Sequence, residues 1–273
     1  MAVFGQNRAI LTLTPLPFYD KFSGRKKYSQ RVVTANCRIF SVPGNNNQPG
    51  EYRSGTDGLF NFFQTFTPCQ TCFHMRRILL IFIRNPALGQ VKTRLARTMG
   101  DVDALSIYRL LIDKTRTAAM GVTAERWLLY SNFTDLNDTW PSTDFRKMTQ
   151  QSGELGERME QAFRAAFTAG GEQVVIIGSD CPDLTGPTLE AAFTALDQAD
   201  FVLGPVPDGG YYLLGMRALE PALFRHIAWS TDTVRSTTLE RIAIAGKSCV
   251  LLPMLTDVDT EADWVDWLAA NGK

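Results

Sequence analysis

Residues 75–273 predict an α/β fold, with helices covering a mostly parallel sheet. Three observations carry this reading. Short apolar runs, such as Arg77–Ile83 and Gln173–Ile177, suit strands covered on both faces. Stretches with helical spacing separate those runs. Polar, often glycine-bearing loops follow the strands, at the end of the sheet where folds of this class bind ligands.

Taken in order, Arg77–Ile83 is the first strand, followed by the loop Asn85–Gly89. A helical stretch runs from about Thr93 to Ala119 with a break at Gly100, and carries Leu105, Tyr108, Leu111 and Ile112 at helical spacing. Arg126–Tyr130 is the second strand. Glu154–Thr168 is an amphipathic helix with Met159, Phe163 and Phe167 on one stripe, ended by Gly170-Gly171. Gln173–Ile177 is a central strand, and Pro187–Leu196 a helix with proline in its first turn. Phe201–Leu203 and Tyr211–Leu214 are strands around the turn Pro207–Gly210. Thr233–Ala245 is a helix, Ser248–Leu252 a strand and Glu261–Ala270 a closing helix. Such alternation implies right-handed crossovers.

Residues 1–74 read differently. Five prolines and the run Gly44–Gly50 break them up, so they are expected to be an irregular extension, either disordered or upstream of a true start at Met75. Cys69, Cys72 and His74 offer half of a zinc site, short of the four ligands a structural zinc needs.

Charge sharpens the division. Lys+Arg and Asp+Glu are both 28 over 273 residues, so the whole chain has no basic field for nucleic acid. Residues 1–74 nevertheless carry a net +5 and the remainder a net −5. No apolar run approaches the ~20 residues of a membrane helix. Five cysteines do not make a disulfide framework at this length, so a reducing cytoplasm is expected.

Four loops bear candidate chemistry. Arg84–Arg94 supplies Gly89, Lys92 and Arg94, with Arg84, ahead of a helix N-terminus, which suits a diphosphate; the spacing is not that of a Walker loop. Gly178-Ser179-Asp180-Cys181-Pro182-Asp183 places two carboxylates at the exit of a buried strand. Asp180 is the favoured ligand for a hard divalent cation and Asp183 stays open, with a turn cap as its other role. Gly204–Tyr212 joins Asp208 to Gly209 and Gly210; an Asp-Gly pair between strands is also a hairpin turn, and taken singly the hairpin is preferred. Asp257–Asp263 has Thr260 and Asp263 in a capping pattern, leaving Asp257 and Asp259 as further metal ligands. With His74 and His226 the only histidines, a histidine metal centre or a serine triad has little to draw on. Cys181 reads as packing, as do Trp264 and Trp267.

In order, Val91–Leu95, Gly153–Met159, Gly178–Asp183, Gly204–Tyr212, Trp229–Thr231 and Asp257–Thr260 resemble one bacterial family. It is the GT-A-like glycosyltransferase family that includes members linked to arsenosugar biosynthesis. The resemblance spans 75–273 and none of 1–74. It implies the Rossmann-like αβα sandwich of the nucleotide-diphospho-sugar transferases, and kinship with nucleotidyltransferases that build cofactors. Asp180 matches the strand-end metal ligand of that superfamily, although Asp-Cys-Pro-Asp stands where glycosyltransferases usually carry Asp-x-Asp. Asp259 or Asp257 fits the second carboxylate.

The resulting expectation is metal-dependent transfer of a sugar from a nucleotide-diphosphate sugar to a small acceptor. Arg84, Gly89, Lys92, Arg94, Gly178 and Ser179 would hold the nucleotide phosphates, and Asp180 with Asp257 or Asp259 would hold Mg²⁺ or Mn²⁺. Asp208 would act as base, with Gly209, Gly210, Tyr211, Trp229, Ser230 and Thr231 on the acceptor side. Joining an NTP to a phosphorylated small molecule, and non-catalytic nucleotide binding, are the alternatives.

Overall fold

A computed structural model describes residues 75–271 and two short strands upstream, β1 (Phe18–Tyr19) and β2 (Lys26–Lys27). The rest of 1–74, including the Cys69, Cys72 and His74 group, lies outside the described residues. The chain divides into two units, Met1–Pro68 and Cys69–Lys273. In the first, β1 pairs antiparallel with β2.

The second unit is a Rossmann-like αβα sandwich. Its elements are β3 (Arg77–Ile83), α1 (Thr93–Met99), α2 (Asp101–Met120), β4 (Glu125–Tyr130), β5 (Phe145–Thr149) and α3 (Leu155–Thr168). They continue with β6 (Gln173–Ile177), α4 (Gly186–Leu196), β7 (Phe201–Pro205), β8 (Tyr211–Met216), a 3₁₀ turn at Pro221–Leu223, α5 (Val234–Ile244), β9 (Cys249–Leu251) and α6 (Glu261–Asn271). The sheet has seven strands in the order β5-β4-β3-β6-β8-β7-β9. Only β8 runs against its neighbours, in a hairpin with β7.

Residues alternate between the two faces of β3 and β6. Leu79, Ile81, Val175 and Ile177 join the α2 and α4 layer, with Tyr108, Ile112, Leu189 and Phe193. Ile78, Leu80, Val174 and Ile176 join the α3 and α5 layer, with Met159, Phe163 and Ile242. Because both faces are covered, these strands read as continuous apolar runs in the sequence. A third cluster seats α1 and α6 on α2 through Leu95, Ile107, Leu111 and Val258, with Trp264 and Trp267 against it.

One strand was not expected. β5 carries Arg146 and Lys147 and buries only Phe145 fully, because it closes one edge of the sheet. β5 lacks the apolar run that reveals the central strands, whereas β9, at the other edge, keeps a short one and was expected from the sequence. The helix break expected at Gly100 is present: its φ of 85 separates α1 from α2.

From β3 the chain builds outward to β4 and β5, then returns to place β6 on the other side of β3. The carboxyl ends of β3 and β6 therefore flank the point where strand order reverses. Ligand crevices of open α/β sheets lie there.

Candidate functional site

A cleft of about 860 Å³ opens at this point, a size typical of small-molecule sites. Arg84, Lys92, Arg94, Ser179, Asp180 and Asp259 line it, together with Arg158, Tyr211, Trp229, Ser230 and Thr231. Asp208 and Gly210 also line it.

Its electrostatic centre is Lys92. The residue caps the start of α1 in the left-handed conformation, φ 46 and ψ 47, unusual for a side chain other than glycine. Its ammonium contacts Asp180 Oδ1 at 2.5 Å and Asp259 Oδ1 at 2.8 Å. The Lys92 side chain is only 6% exposed, whereas those of Asp180 and Asp259 are 47% and 38% exposed. Burial works against the charged ammonium, but Asp180 and Asp259 outweigh it and hold the pKa above the ordinary lysine value. Arg94 Nη1 lies 3.7 Å from Asp259 Oδ2 and is largely exposed, so it keeps donors for a ligand.

Backbone contacts align these groups. Val258 N–H donates to the Asp180 carbonyl at 2.9 Å, and the Val258 side chain is buried. Thr260 and Asp263 form the expected capping pair: Thr260 N–H donates to Asp263 Oδ2 at 2.7 Å and Asp263 N–H to Thr260 Oγ1 at 3.3 Å. Asp183 accepts from Trp267 Nε1 at 2.8 Å, a structural tie to α6. Trp264 and Trp267 stack with centroids 5.3 Å apart against the α1–α2 cluster, in the packing role expected of them. Cys181 is buried, and burial together with the nearby aspartates pushes its thiol up, which suits packing better than nucleophilic attack.

Asp257, expected as a further metal ligand, is half-buried and does not line the cleft. Burial, then Asp208, Asp259 and Asp180, push its carboxyl up to about 6. Asp208 is exposed, and its Oδ1 accepts from Gly210 N–H at 2.8 Å within the β7–β8 hairpin. Gly209 lies elsewhere: with φ +91, a Cβ there would meet the Asp232 carbonyl oxygen at 2.0 Å. It seats the hairpin on the lead-in to α5, and its carbonyl accepts from Arg235 N–H at 2.8 Å. Gly89, at φ +72, turns the β3–α1 loop and does not line the cleft. Gly178 and Ser179 are in the floor, beside Asp180.

Several supporting residues carried no motif signal. Tyr108 OH accepts from Arg84 N–H at 2.8 Å and sits 3.3 Å from Ser179 Oγ, tying the β3 end to the β6 end. Asn85 donates to the Phe133 carbonyl at 2.9 Å and accepts from Asn132 N–H at 3.1 Å, which holds the β3 and β4 loops together. Gln150, also buried, donates to the Leu129 carbonyl at 2.9 Å and accepts from Arg158 Nη1 at 2.9 Å. In the sequence Tyr108 shows only helical spacing; its hydroxyl role depends on which strand ends it meets.

The donor set can be weighed for a divalent cation. Asp180 and Asp259 supply hard oxygens that face the cleft, and Asp180 keeps Oδ2 free of protein donors among the described residues. Two carboxylates plus substrate phosphates match the habit of Mg²⁺. Among the described residues no group of three or more His, Cys, Asp or Glu is disposed to cage an ion. Asp180 and Asp259, both paired with Lys92, would supply two oxygens of such an ion's shell and leave the rest to the substrate. No described helix is long and apolar enough to cross a membrane.

The seven-stranded sheet, covered on both faces, with its cleft at the strand-order reversal, makes a Rossmann-like αβα sandwich of the kind that binds ligands at its strand ends. Comparison with known proteins places the chain further. A candidate nucleotide-diphospho-sugar transferase from Desulfovibrio desulfuricans G20 is 32% identical, with a TM-score of 0.67, over 71% of this chain and 87% of that one. The chain belongs to the GT-A-like nucleotide-diphospho-sugar transferase family that this relative represents. Residues 115–231 match a family described as "Uncharacterized protein conserved in bacteria (DUF2064)". A nucleotidyl transfer protein from Methanothermobacter thermautotroptrophicus is 13% identical over 71% of this chain and 97% of that one, with a TM-score of 0.49. No curated protein matched the chain by sequence.

Proposed function

We propose that the protein transfers a glycosyl group from a nucleoside-diphosphate sugar to a hydroxyl of a small acceptor. One observation supports transfer chemistry on a nucleotide, and nucleotidyl transfer would share it. The Lys92 ammonium, Asp180 and Asp259 converge at the cleft floor, with Arg84 and Arg94 on the same side.

In this reading Arg84 and Arg94 bind the diphosphate by charge-assisted hydrogen bonds. Lys92 adds positive charge where the leaving phosphate gathers negative charge. Asp180 and Asp259 would hold Mg²⁺ or Mn²⁺, which stabilises the departing diphosphate as a Lewis acid when bound. Asp208, on the exposed β7–β8 hairpin, takes the acceptor proton as the new glycosidic bond forms and the sugar–phosphate bond breaks. Tyr211, Trp229, Ser230 and Thr231 line the acceptor side.

The test offers nucleotide sugars and NTPs in separate incubations with Mg²⁺ or Mn²⁺. Release of nucleoside diphosphate from a nucleotide sugar supports glycosyl transfer. Pyrophosphate release from an NTP with a phosphorylated acceptor would assign nucleotidyl transfer in its place. Binding with neither product would leave a nucleotide-binding protein.

A further inference from the structure

The cleft holds a cation that the proposed chemistry does not use. Arg158, on the first turns of α3, lines the wall with Met159 and Trp229. Its Nη1 donates to Gln150 Oε1 at 2.9 Å, and its Nε is buried without a hydrogen-bond partner. Among the described residues no carboxylate lies within ion-pair distance of it. The acids of the same helix are engaged elsewhere: Glu154 and Glu157 close a capping box, and Glu160 pairs with Arg164 and Arg225. Gln150 is itself fixed, donating to the Ile83 and Leu129 carbonyls at 3.3 and 2.9 Å, so the guanidinium is held in one place.

A part-buried guanidinium with an orphaned N–H and no counter-charge is costly to the protein alone. A planar or tetrahedral oxyanion completes it, because the fork of donors matches such groups. We infer that Arg158 is a recognition residue for a second anionic group, a phosphate or a carboxylate, on the part of the substrate that lies against α3. This rests on the transfer reading for the identity of the substrates, and it narrows them: the acceptor, or the transferred sugar, is an anion. In the transfer reading the nucleotide diphosphate is held by Arg84, Lys92 and Arg94 and is a separate charge.

The experiment titrates the full chain by calorimetry with ethyl phosphate, propionate and, as a neutral control, 1-propanol. Each titration is run with and without the best-binding nucleoside diphosphate. One anion is expected to bind the wild type while propanol does not, and whichever binds assigns phosphate or carboxylate. R158Q should weaken that binding at least about tenfold, as loss of a charge-assisted fork predicts, and R158K by about threefold or more. R97Q, an exposed charge outside the cleft, should leave it within about twofold, and R158Q should leave nucleoside diphosphate affinity within about threefold, if the two sites are separate. R158K keeps the charge and most of the volume, so it decides the matter if R158Q does not fold. Equal anion affinity in wild type and R158 variants, no anion binding by the wild type, or a parallel loss of nucleoside diphosphate affinity in R158Q would overturn the inference. Failure of the wild type to bind any nucleotide sinks the transfer reading by itself, and the titrations without nucleotide still decide on Arg158.

Discussion

Val258 donates its backbone N–H to the Asp180 carbonyl at 2.9 Å, joining the exit of β6 to the approach of α6. The two segments lie 78 positions apart in the chain, yet this bond sets Asp259 beside the lysine that Asp180 already holds. Trp267 fastens the same junction from α6 through Asp183. Trp267→Phe keeps the ring stack and removes the indole donor. It should lower unfolding free energy by about 1–2 kcal/mol, the cost of a lost hydrogen bond to a charged acceptor. Urea denaturation with an unchanged m-value is the check. A midpoint equal to wild type would show that the tie carries nothing.

Lys92 and Arg94 are two residues apart and should respond differently to neutralisation. Lys92→Met leaves two carboxylates without their buried cation. Full burial would cost about 3–5 kcal/mol, but Asp180 and Asp259 are more than a third exposed, so about 1–2 kcal/mol is expected. Arg94→Gln removes an exposed, loosely paired charge and should shift stability by less than about 0.5 kcal/mol. Both variants should bind nucleoside diphosphates more weakly in calorimetry. Equal stability losses in the two would contradict the buried placement of Lys92.

Much of this was legible in the sequence because burial leaves a pattern. β3 and β6 read as strands because both faces are covered, and the Thr260–Asp263 cap is a local motif. β5 was not legible, since the cations Arg146 and Lys147 interrupt any apolar run after Phe145. The roles of Gly209 and Asp183 were also hidden. Gly209 combines a positive φ with the Asp232 backbone where a Cβ would stand, and Asp183 meets a tryptophan 84 residues away. The resemblance located the loops, but which side chains converge within them depends on tertiary contacts that no spacing encodes. Tyr108, Asn85, Gln150 and Arg158 are of this kind.

Asp208→Asn tests the proposed base. The side chain is exposed and its one contact, from Gly210 N–H, is kept by the amide oxygen. Stability should therefore stay within about 0.5 kcal/mol of wild type. Turnover of the acceptor should fall about 10²–10⁴-fold, the range for removing a general base, with donor affinity unchanged. Steady-state kinetics alongside a nucleotide titration separates these quantities. A loss of less than about threefold would remove Asp208 from the proton transfer.

Gly156, the second residue of α3, has a different use from the turn glycines. It lacks a Cβ because the neighbouring chain leaves no room: one would meet Trp229 Nε1 at 2.5 Å and the Phe224 carbonyl oxygen at 2.5 Å. Trp229 lines the cleft, and Ser230 beside it is held at φ 64, so the segment has little freedom to absorb a methyl group. Gly156→Ala should cost about 1–3 kcal/mol as overpacking, read by thermal or urea unfolding. The displaced indole should also raise KM for the acceptor while leaving nucleoside diphosphate affinity near wild type, because the atoms a Cβ at Gly156 would meet belong to Trp229 and Phe224 and not to Lys92 or Arg94. Trp229→Ala in the Gly156→Ala background should recover only part of the lost stability, since the Phe224 carbonyl remains in the way. Full recovery would mean that the indole alone sets the spacing, and no recovery that the backbone contact alone does.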